Sequence, residues 1–149
     1  YSIGMQHTIH TALRNENITA IVVNNTNFGM TGGQMSPATL IGQKTTSSPK
    51  GRTAELNGNP IDITEVYSGM KIAYLARGSV DAVANINKTK AYIRKAFEKQ
   101  MAGCGFSFVE IMAPCPTNWG MTALGSIKRM QDEVVKLYPV GEYIDGGAK

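Results

Sequence analysis

One stretch limits this chain more than any other. The apolar run Ile18-Thr19-Ala20-Ile21-Val22-Val23 passes without a spacer into Asn24-Asn25-Thr26-Asn27-Phe28-Gly29-Met30-Thr31-Gly32-Gly33-Gln34. A β-branched run with no alternation is the pattern of a strand covered on both faces, as in parallel sheets flanked by helices. The polar stretch holds three asparagines, two threonines and three glycines. A plain turn is built with far fewer special residues.

The rest of the chain alternates in the same way. Residues 3–16 carry Ile3, His7, His10, Leu13 and Arg14 at helical spacing and predict a helix leading into the strand at 18–23. Residues 28–60 are rich in Gly, Ser, Thr, Asn and Pro and predict a long loop, which in a compact domain is functional or mobile. Asp62 or Thr64 caps a short helix, and Lys71–Gly78 predicts a second strand. An amphipathic helix over 87–103 follows, with Ala91, Ile93, Ala96, Phe97 and Met101 on one face and Gly103 as its stop. Phe106–Pro114 is the third strand, "CPTNWG" a second polar loop, and residues 123–139 the last helix. This order predicts one α/β domain over 1–149, a mostly parallel sheet with helices on both faces.

Composition narrows the function classes. With 42% hydrophobic and 17% charged residues the chain is globular, and no segment approaches the roughly 20 apolar residues of a membrane span. The net charge of +4 comes from scattered residues, loosely grouped at Lys88, Lys90, Arg94, Lys95 and Lys99, which argues against nucleic acid as a partner. Two cysteines are too few for a disulfide scaffold. Eight methionines, free thiols and the absence of a secretion signal suit a cytoplasmic protein.

In parallel sheets, ligands bind beyond the carboxyl ends of the strands, where both polar loops fall. If the chain stays extended past Val23, Asn25 and Asn27 point the same way. Amide and carbonyl oxygens are hard ligands suited to Mg²⁺, while Thr31, Gly32 and Gly33 offer a hydroxyl and unshielded backbone N–H groups to an anion. The residues alone leave open both an Asn/Gly-rich turn and a metal–phosphate site. By composition Cys115 is a buried or idle thiol and Cys104 a structural one. His7 and His10 lack a visible third ligand, so packing or a polar contact near the pocket is the simpler reading. Trp119 is either a core anchor or a subunit contact.

The segment from Tyr1 to Pro37, with "GMTGGQ" followed by "SP", resembles the thiamine-diphosphate-binding β subunit of 2-oxoacid:ferredoxin oxidoreductases. The resemblance extends to "APCPTNWGM" at 113–121 and to "YPVGEY" near the C-terminus. It implies a thiamine-diphosphate-binding fold, truncated at its N-terminus, with Asn25 giving its side-chain oxygen and Asn27 its backbone carbonyl to Mg²⁺. Thr31, Gly32 and Gly33 would lie against the diphosphate, with Phe28 and Met30 near the cofactor or simply packed. Cys115 would be one of four cysteine ligands of a [4Fe-4S] cluster, the other three lying near the N-terminus of the full subunit. The implied activity is CoA-dependent oxidative decarboxylation of a 2-oxoacid, of the 2-oxoisovalerate or 2-oxoglutarate type, to acyl-CoA and CO₂. Two electrons would pass to ferredoxin, and other subunits would be partners. The glutamate that activates the cofactor is expected from a partner subunit, and no catalytic residue is identified in this sequence.

In the resembled family a Gly-Asp-Gly motif precedes the "Y-x-I-G" helix start and supplies a third metal ligand, a position upstream of Tyr1. Two other readings therefore stand beside the first: a silent fragment competent only for subunit association, and a thiamine decarboxylase or synthase with no cluster. With two neutral oxygens offered to a strongly hydrated ion, this polypeptide alone is expected to bind Mg²⁺ and thiamine diphosphate poorly. Calorimetry checks this, and tight Mg²⁺-dependent binding of the cofactor to the isolated chain would contradict it.

Overall fold

A computed structural model describes residues 2–146. In chain order the first elements are α1 (Met5–Leu13), β1 (Thr19–Asn24), β2 (Asn27–Phe28), β3 (Gln34–Met35), α2 (Ala54–Asn57), α3 (Ile63–Ser68) and β4 (Tyr74–Ser79). They are followed by α4 (Val83–Met101), β5 (Ser107–Met112), α5 (Pro116–Trp119), α6 (Ala123–Arg129), a π-helical turn at Met130–Val134, α7 (Val135–Leu137) and β6 (Gly141–Asp145).

The main sheet has the order β1-β5-β4-β6, with β1, β5 and β4 parallel and β6 antiparallel to β4. Alternation along the strands sends side chains to two layers. On one face Leu75, Phe106 and Phe108 pack with Ala12 of α1 and with Ile63 and Tyr67 of α3. On the other, Tyr74, Ala76 and Val109 meet Ala96 of α4, with Tyr92 and Ile93 beside it. Helices therefore cover both faces of a mostly parallel sheet, the architecture expected from the sequence. Helix α4 lies unusually close to β4, since a Cβ on Gly78 would fall 2.2 Å from Thr89 Oγ1. Asp62 caps α3, its Oδ1 accepting from Thr64 N at 2.8 Å.

Several local expectations are corrected. Strand β1 is not covered on both faces: it lies at the sheet edge, and Ile21 and Val23 are exposed because α4 reaches only as far as Thr19, whose Oγ1 donates to Ala96 O. In α4 the sheet-facing stripe runs through Thr89, Tyr92, Ile93 and Ala96, which leaves Phe97, Met101 and Ala91 exposed. In α1 the packed stripe is Met5, Ile9 and Ala12, so Ile3 and Leu13 are exposed along with His7 and His10. Strand β6 was not foreseen, because "GEYID" carries two acids and half-exposed positions, and only its pairing to β4 makes it a strand.

The 28–60 segment is not structureless either. Besides β2, β3 and α2 it holds Arg52, only 4% exposed, whose guanidinium donates to the carbonyls of Ser36, Pro37, Thr39, Asn57, Gly58 and Asn59. One buried cation thus satisfies carbonyls that no ladder reaches. Burial lowers its pKa from the ordinary arginine value.

A second buried guanidinium organises the sheet. Arg77 on β4 donates from Nε to Glu110 Oε2 at 2.5 Å on β5 and from Nη2 to Asp62 Oδ1 at 2.5 Å, and its Cζ lies 5.1 Å from the centre of the Tyr138 ring. Burial pushes Asp62 up, but the hydrogen bonds from Arg77 and Thr64 outweigh it and hold the carboxyl below the usual carboxylate range. A carboxyl depressed on folding contributes stability above its unfolded pKa and loses it as pH falls through the lower, folded value. Urea unfolding between about pH 5 and pH 2 should accordingly show an acid limb that Asp62→Asn flattens, with the variant less stable at neutral pH and the difference shrinking as pH falls.

Candidate functional site

Because β1 and β5 are neighbours and parallel, their carboxyl ends, Asn24 and Met112, lie in register, and the two polar loops leave the sheet side by side. The first loop starts with a turn rather than an extension. Asn24 is buried, donates from Nδ2 to Glu110 Oε1 at 2.8 Å, and accepts from Thr26 N at 2.9 Å on its Oδ1. This puts Thr26 at φ +62°, and its carbonyl accepts from Thr39 Oγ1 and Gln43 Nε2 while its hydroxyl donates to Gln43 Oε1. The simple two-residue alternation of Asn25 and Asn27 is broken at this left-handed residue.

Asn25 and Asn27 nevertheless flank one spot. The Asn25 side chain makes no hydrogen bond among the described residues, while its carbonyl accepts from Trp119 Nε1 at 3.2 Å. Asn27 is 6% exposed, and its Oδ1 is buried without a partner. Both border a small cavity of about 110 Å³ shared with Asn24, Phe28 and Ser36. A buried amide oxygen without a donor is costly, so an oxygen in this position calls for a cation or a hydrogen-bond donor.

Residues 29–33 form the turn between β2 and β3. Gly32 N donates to Gly29 O and Gly33 N to Phe28 O, so these two N–H groups serve the turn rather than pointing at an anion. The backbone N–H groups of this turn left without an acceptor among the described residues are those of Gly29, Met30 and Thr31. Thr31 Oγ1 donates to Gln34 Oε1 at 2.8 Å, and Gln34 Nε2 returns to Thr31 O at 2.9 Å. Met30 is fully exposed and Phe28 half-buried, so packing within the chain does not account for Met30.

The second loop closes over the first. Pro116 starts the one-turn helix α5 directly after Cys115, and Asn118 Nδ2 donates both to Gly29 O and to Cys115 Sγ, each at 3.2 Å. Gly33, at φ +75°, lies so close beneath Asn118 that a Cβ there would fall 2.7 Å from Asn118 Oδ1. Trp119 is half-buried and packs against the cluster that holds Ala38, Met112 and Met130, which makes it an anchor within the chain; its Nε1 donates to Asn25 O, and the Arg129 guanidinium lies 4.5 Å above its ring. Asn24 and Asn118 stand inside the stretches singled out by sequence, but no spacing shows that their amides reach Glu110 and Gly29. Cys104 is buried at the end of α4, apart from this site, as a structural thiol. Among the described residues no three His, Cys, Asp or Glu side chains come together as a metal cluster.

The arrangement is thus a tight glycine turn, a pair of asparagines with uncommitted oxygens, and a half-buried thiol, gathered at the end of a parallel sheet. Comparison with known proteins agrees. Residues 1–111 match the family "Thiamine pyrophosphate enzyme, C-terminal TPP binding domain". The chain belongs to that family. Thiamine diphosphate (thiamine pyrophosphate, TPP) is therefore the cofactor of its fold. The domain is 37% identical to the ketoisovalerate oxidoreductase subunit VorA of Methanothermobacter thermautotrophicus over 149 residues, 99% of this chain and 31% of that protein. It is 34% identical to the 2-oxoglutarate synthase subunit KorB of Archaeoglobus fulgidus over 131 residues, 88% of this chain and 45% of that one. Among solved structures it is similar to a 2-oxoglutarate:ferredoxin oxidoreductase from Magnetococcus marinus with 2-oxoglutarate, coenzyme A and succinyl-CoA bound. The TM-score is 0.67 and the identity 26%, over 88% of this chain and 40% of that one. The chain spans less than half the length of these relatives. No helix among the described residues is long and apolar enough to cross a membrane.

The contact between Gly33 and Asn118 makes a quantitative test. Gly33→Ala should destabilise the domain by about 1–3 kcal/mol, from a side chain at positive φ and a clash with the amide. Adding Asn118→Ala should restore part of that loss in a double-mutant cycle followed by urea unfolding, since the clash term vanishes and the strain term remains.

Proposed function

We propose that this domain is the metal- and diphosphate-binding part of a 2-oxoacid:ferredoxin oxidoreductase. The intact enzyme would carry out CoA-dependent oxidative decarboxylation of a 2-oxoacid to acyl-CoA and CO₂, passing electrons to ferredoxin. The observation that carries this reading is the meeting of the two strand-end loops: Cys115 Sγ and Gly29 of the cofactor turn are joined through one amide, that of Asn118.

The residues present fit the implied groups. The uncommitted side chain of Asn25 and the buried, partnerless Oδ1 of Asn27 make an oxygen-rich spot suited to Mg²⁺ rather than to a soft metal. Asn25 would give its side-chain oxygen and Asn27 its backbone carbonyl, with further oxygens from the diphosphate and from a carboxylate elsewhere in the full subunit. Thr31, Gly32 and Gly33 would lie along the diphosphate, where glycine lets the backbone approach and the free N–H groups of Met30 and Thr31 meet the charge. Phe28 and exposed Met30 would border the organic part of the cofactor. Bound thiamine diphosphate supplies the electron sink that decarboxylation needs. Cys115 would be one of four thiolates holding a [4Fe-4S] cluster.

For the substrate, the reading favours a branched-chain 2-oxoacid such as 2-oxoisovalerate over 2-oxoglutarate. Support comes from the VorA relatives, which are 37–38% identical across 97–99% of the chain, whereas the KorB relatives of Archaeoglobus and Methanocaldococcus are 34% identical over 80–88%. The partners would be the other subunits, ferredoxin and coenzyme A.

The test uses the assembled enzyme. Cys115→Ser should remove one cluster's worth of iron and its EPR signal, and Asn25→Ala should weaken Mg²⁺-dependent thiamine diphosphate binding by more than about tenfold while leaving the iron in place. Retention of full iron by Cys115→Ser would remove the cluster from this reading.

A further inference from the structure

We infer that Asn118 is a positioning residue that couples the sulfur of Cys115 to the diphosphate turn, so that one side chain sets both the potential of the cluster and the affinity for thiamine diphosphate. The inference rests on the roles proposed above for Cys115 and the turn at 29–33.

Both donors of this amide are committed. A primary amide has two N–H donors, and Asn118 spends one on Gly29 O and the other on Cys115 Sγ, each at 3.2 Å. Its oxygen lies against Gly33, at a distance that only a residue without Cβ permits. The side chain therefore touches the sulfur, the start of the turn and the end of the turn at once. It is held there from both sides. Within α5, Trp119 N donates to Cys115 O at 2.9 Å and Met121 N to Pro116 O at 2.9 Å, and Trp119 Nε1 fastens the same turn of helix to Asn25 O. A shift of the turn at 29–33 must move this amide, and a movement of the amide changes the hydrogen bond on the sulfur.

The chemistry has a sign. An N–H donated to a ligating sulfur stabilises the more electron-rich state, so the intact hydrogen bond raises the reduction potential and its loss lowers it. Fixing Gly29 and Gly33 also preorganises the turn, so the same loss weakens the cofactor site. A residue that merely braced the two loops would alter stability and affinity but leave the potential unmoved.

Asn118→Leu is uncharged, close to asparagine in shape and without either donor, while Asn118→Ala removes the contacts outright. Both are compared with the wild type in the assembled enzyme by EPR-monitored redox titration and by thiamine diphosphate titration. The expected result is unchanged iron content, a more negative midpoint for the cluster that Cys115→Ser abolishes, and cofactor affinity lowered roughly tenfold. An unchanged midpoint in Asn118→Leu overturns the inference even if affinity falls, and so does an unchanged affinity. If Asn118→Ala does not assemble, the leucine variant decides. Should Cys115→Ser keep all its iron, the reading of Cys115 fails and the coupling with it; cluster loss in that variant beside an unmoved Asn118→Leu midpoint overturns the coupling alone.

Discussion

The pairing of Arg77 with Glu110 is the interaction on which the rest of the architecture depends. Both side chains are essentially inaccessible, on adjacent parallel strands, and the carboxylate is shared: Oε2 takes Arg77 Nε and Oε1 takes Asn24 Nδ2. Removing Arg77 takes the counter-charge from the buried Glu110 carboxylate, a change that typically costs about 3–5 kcal/mol, whereas removing Glu110 leaves Arg77 still paired with Asp62. The pair also reaches outward at both ends. Through Asn24 it fixes the turn at Thr26 that starts the loop after β1, and through Asp62 it fixes the N-cap of α3. A charged chain running from helix cap to strand-end loop specifies register, since a one-residue slip of β4 against β5 would separate the ions.

The helices and strands were legible where local pattern and tertiary burial agree. The strands at 71–78 and 106–114, realised as the buried β4 and β5, and the cap at Asp62 belong to that class. Faces were less legible than elements. In α4 the large apolar residues Phe97 and Met101 advertise a core face, yet the sheet is met by Thr89, Tyr92, Ile93 and Ala96, where small residues allow close approach. The edge position of β1 was invisible for a related reason. An apolar run reports what the strand can bury, while strand order decides what it does bury.

The long segment at 28–60 shows a different limit. Its composition correctly signalled the absence of extended regular structure, but order here comes from one side chain, and nothing local marks Arg52 as buried. Only when six carbonyls from two stretches converge does a guanidinium become a better centre than a ladder. Gln43 acts similarly on a smaller scale, holding both the hydroxyl and the carbonyl of Thr26. The loop after β1 is consequently backed by fixed polar groups rather than by apolar packing, which suits a turn that must keep its shape while exposed to water.

For the site itself, the residue types were legible and their geometry was not. Asn25, Asn27, Thr31 and Cys115 stood out because hard oxygens, a hydroxyl beside glycines and a thiol flanked by prolines are chemically unusual. That they form one place follows from topology. In a β1-β5-β4-β6 sheet the loops after β1 and β5 emerge in register, although Gly29 and Asn118 are 89 residues apart. Had β4 taken the position between β1 and β5, the same two motifs would have stood a further strand spacing of nearly 5 Å apart, beyond the reach of one asparagine to both. The link that Asn118 makes between the Cys115 sulfur and the turn at 29–33 is therefore a property of strand order, which the sequence carries only through pairings such as Asn24 with Glu110 that hold β1 against β5.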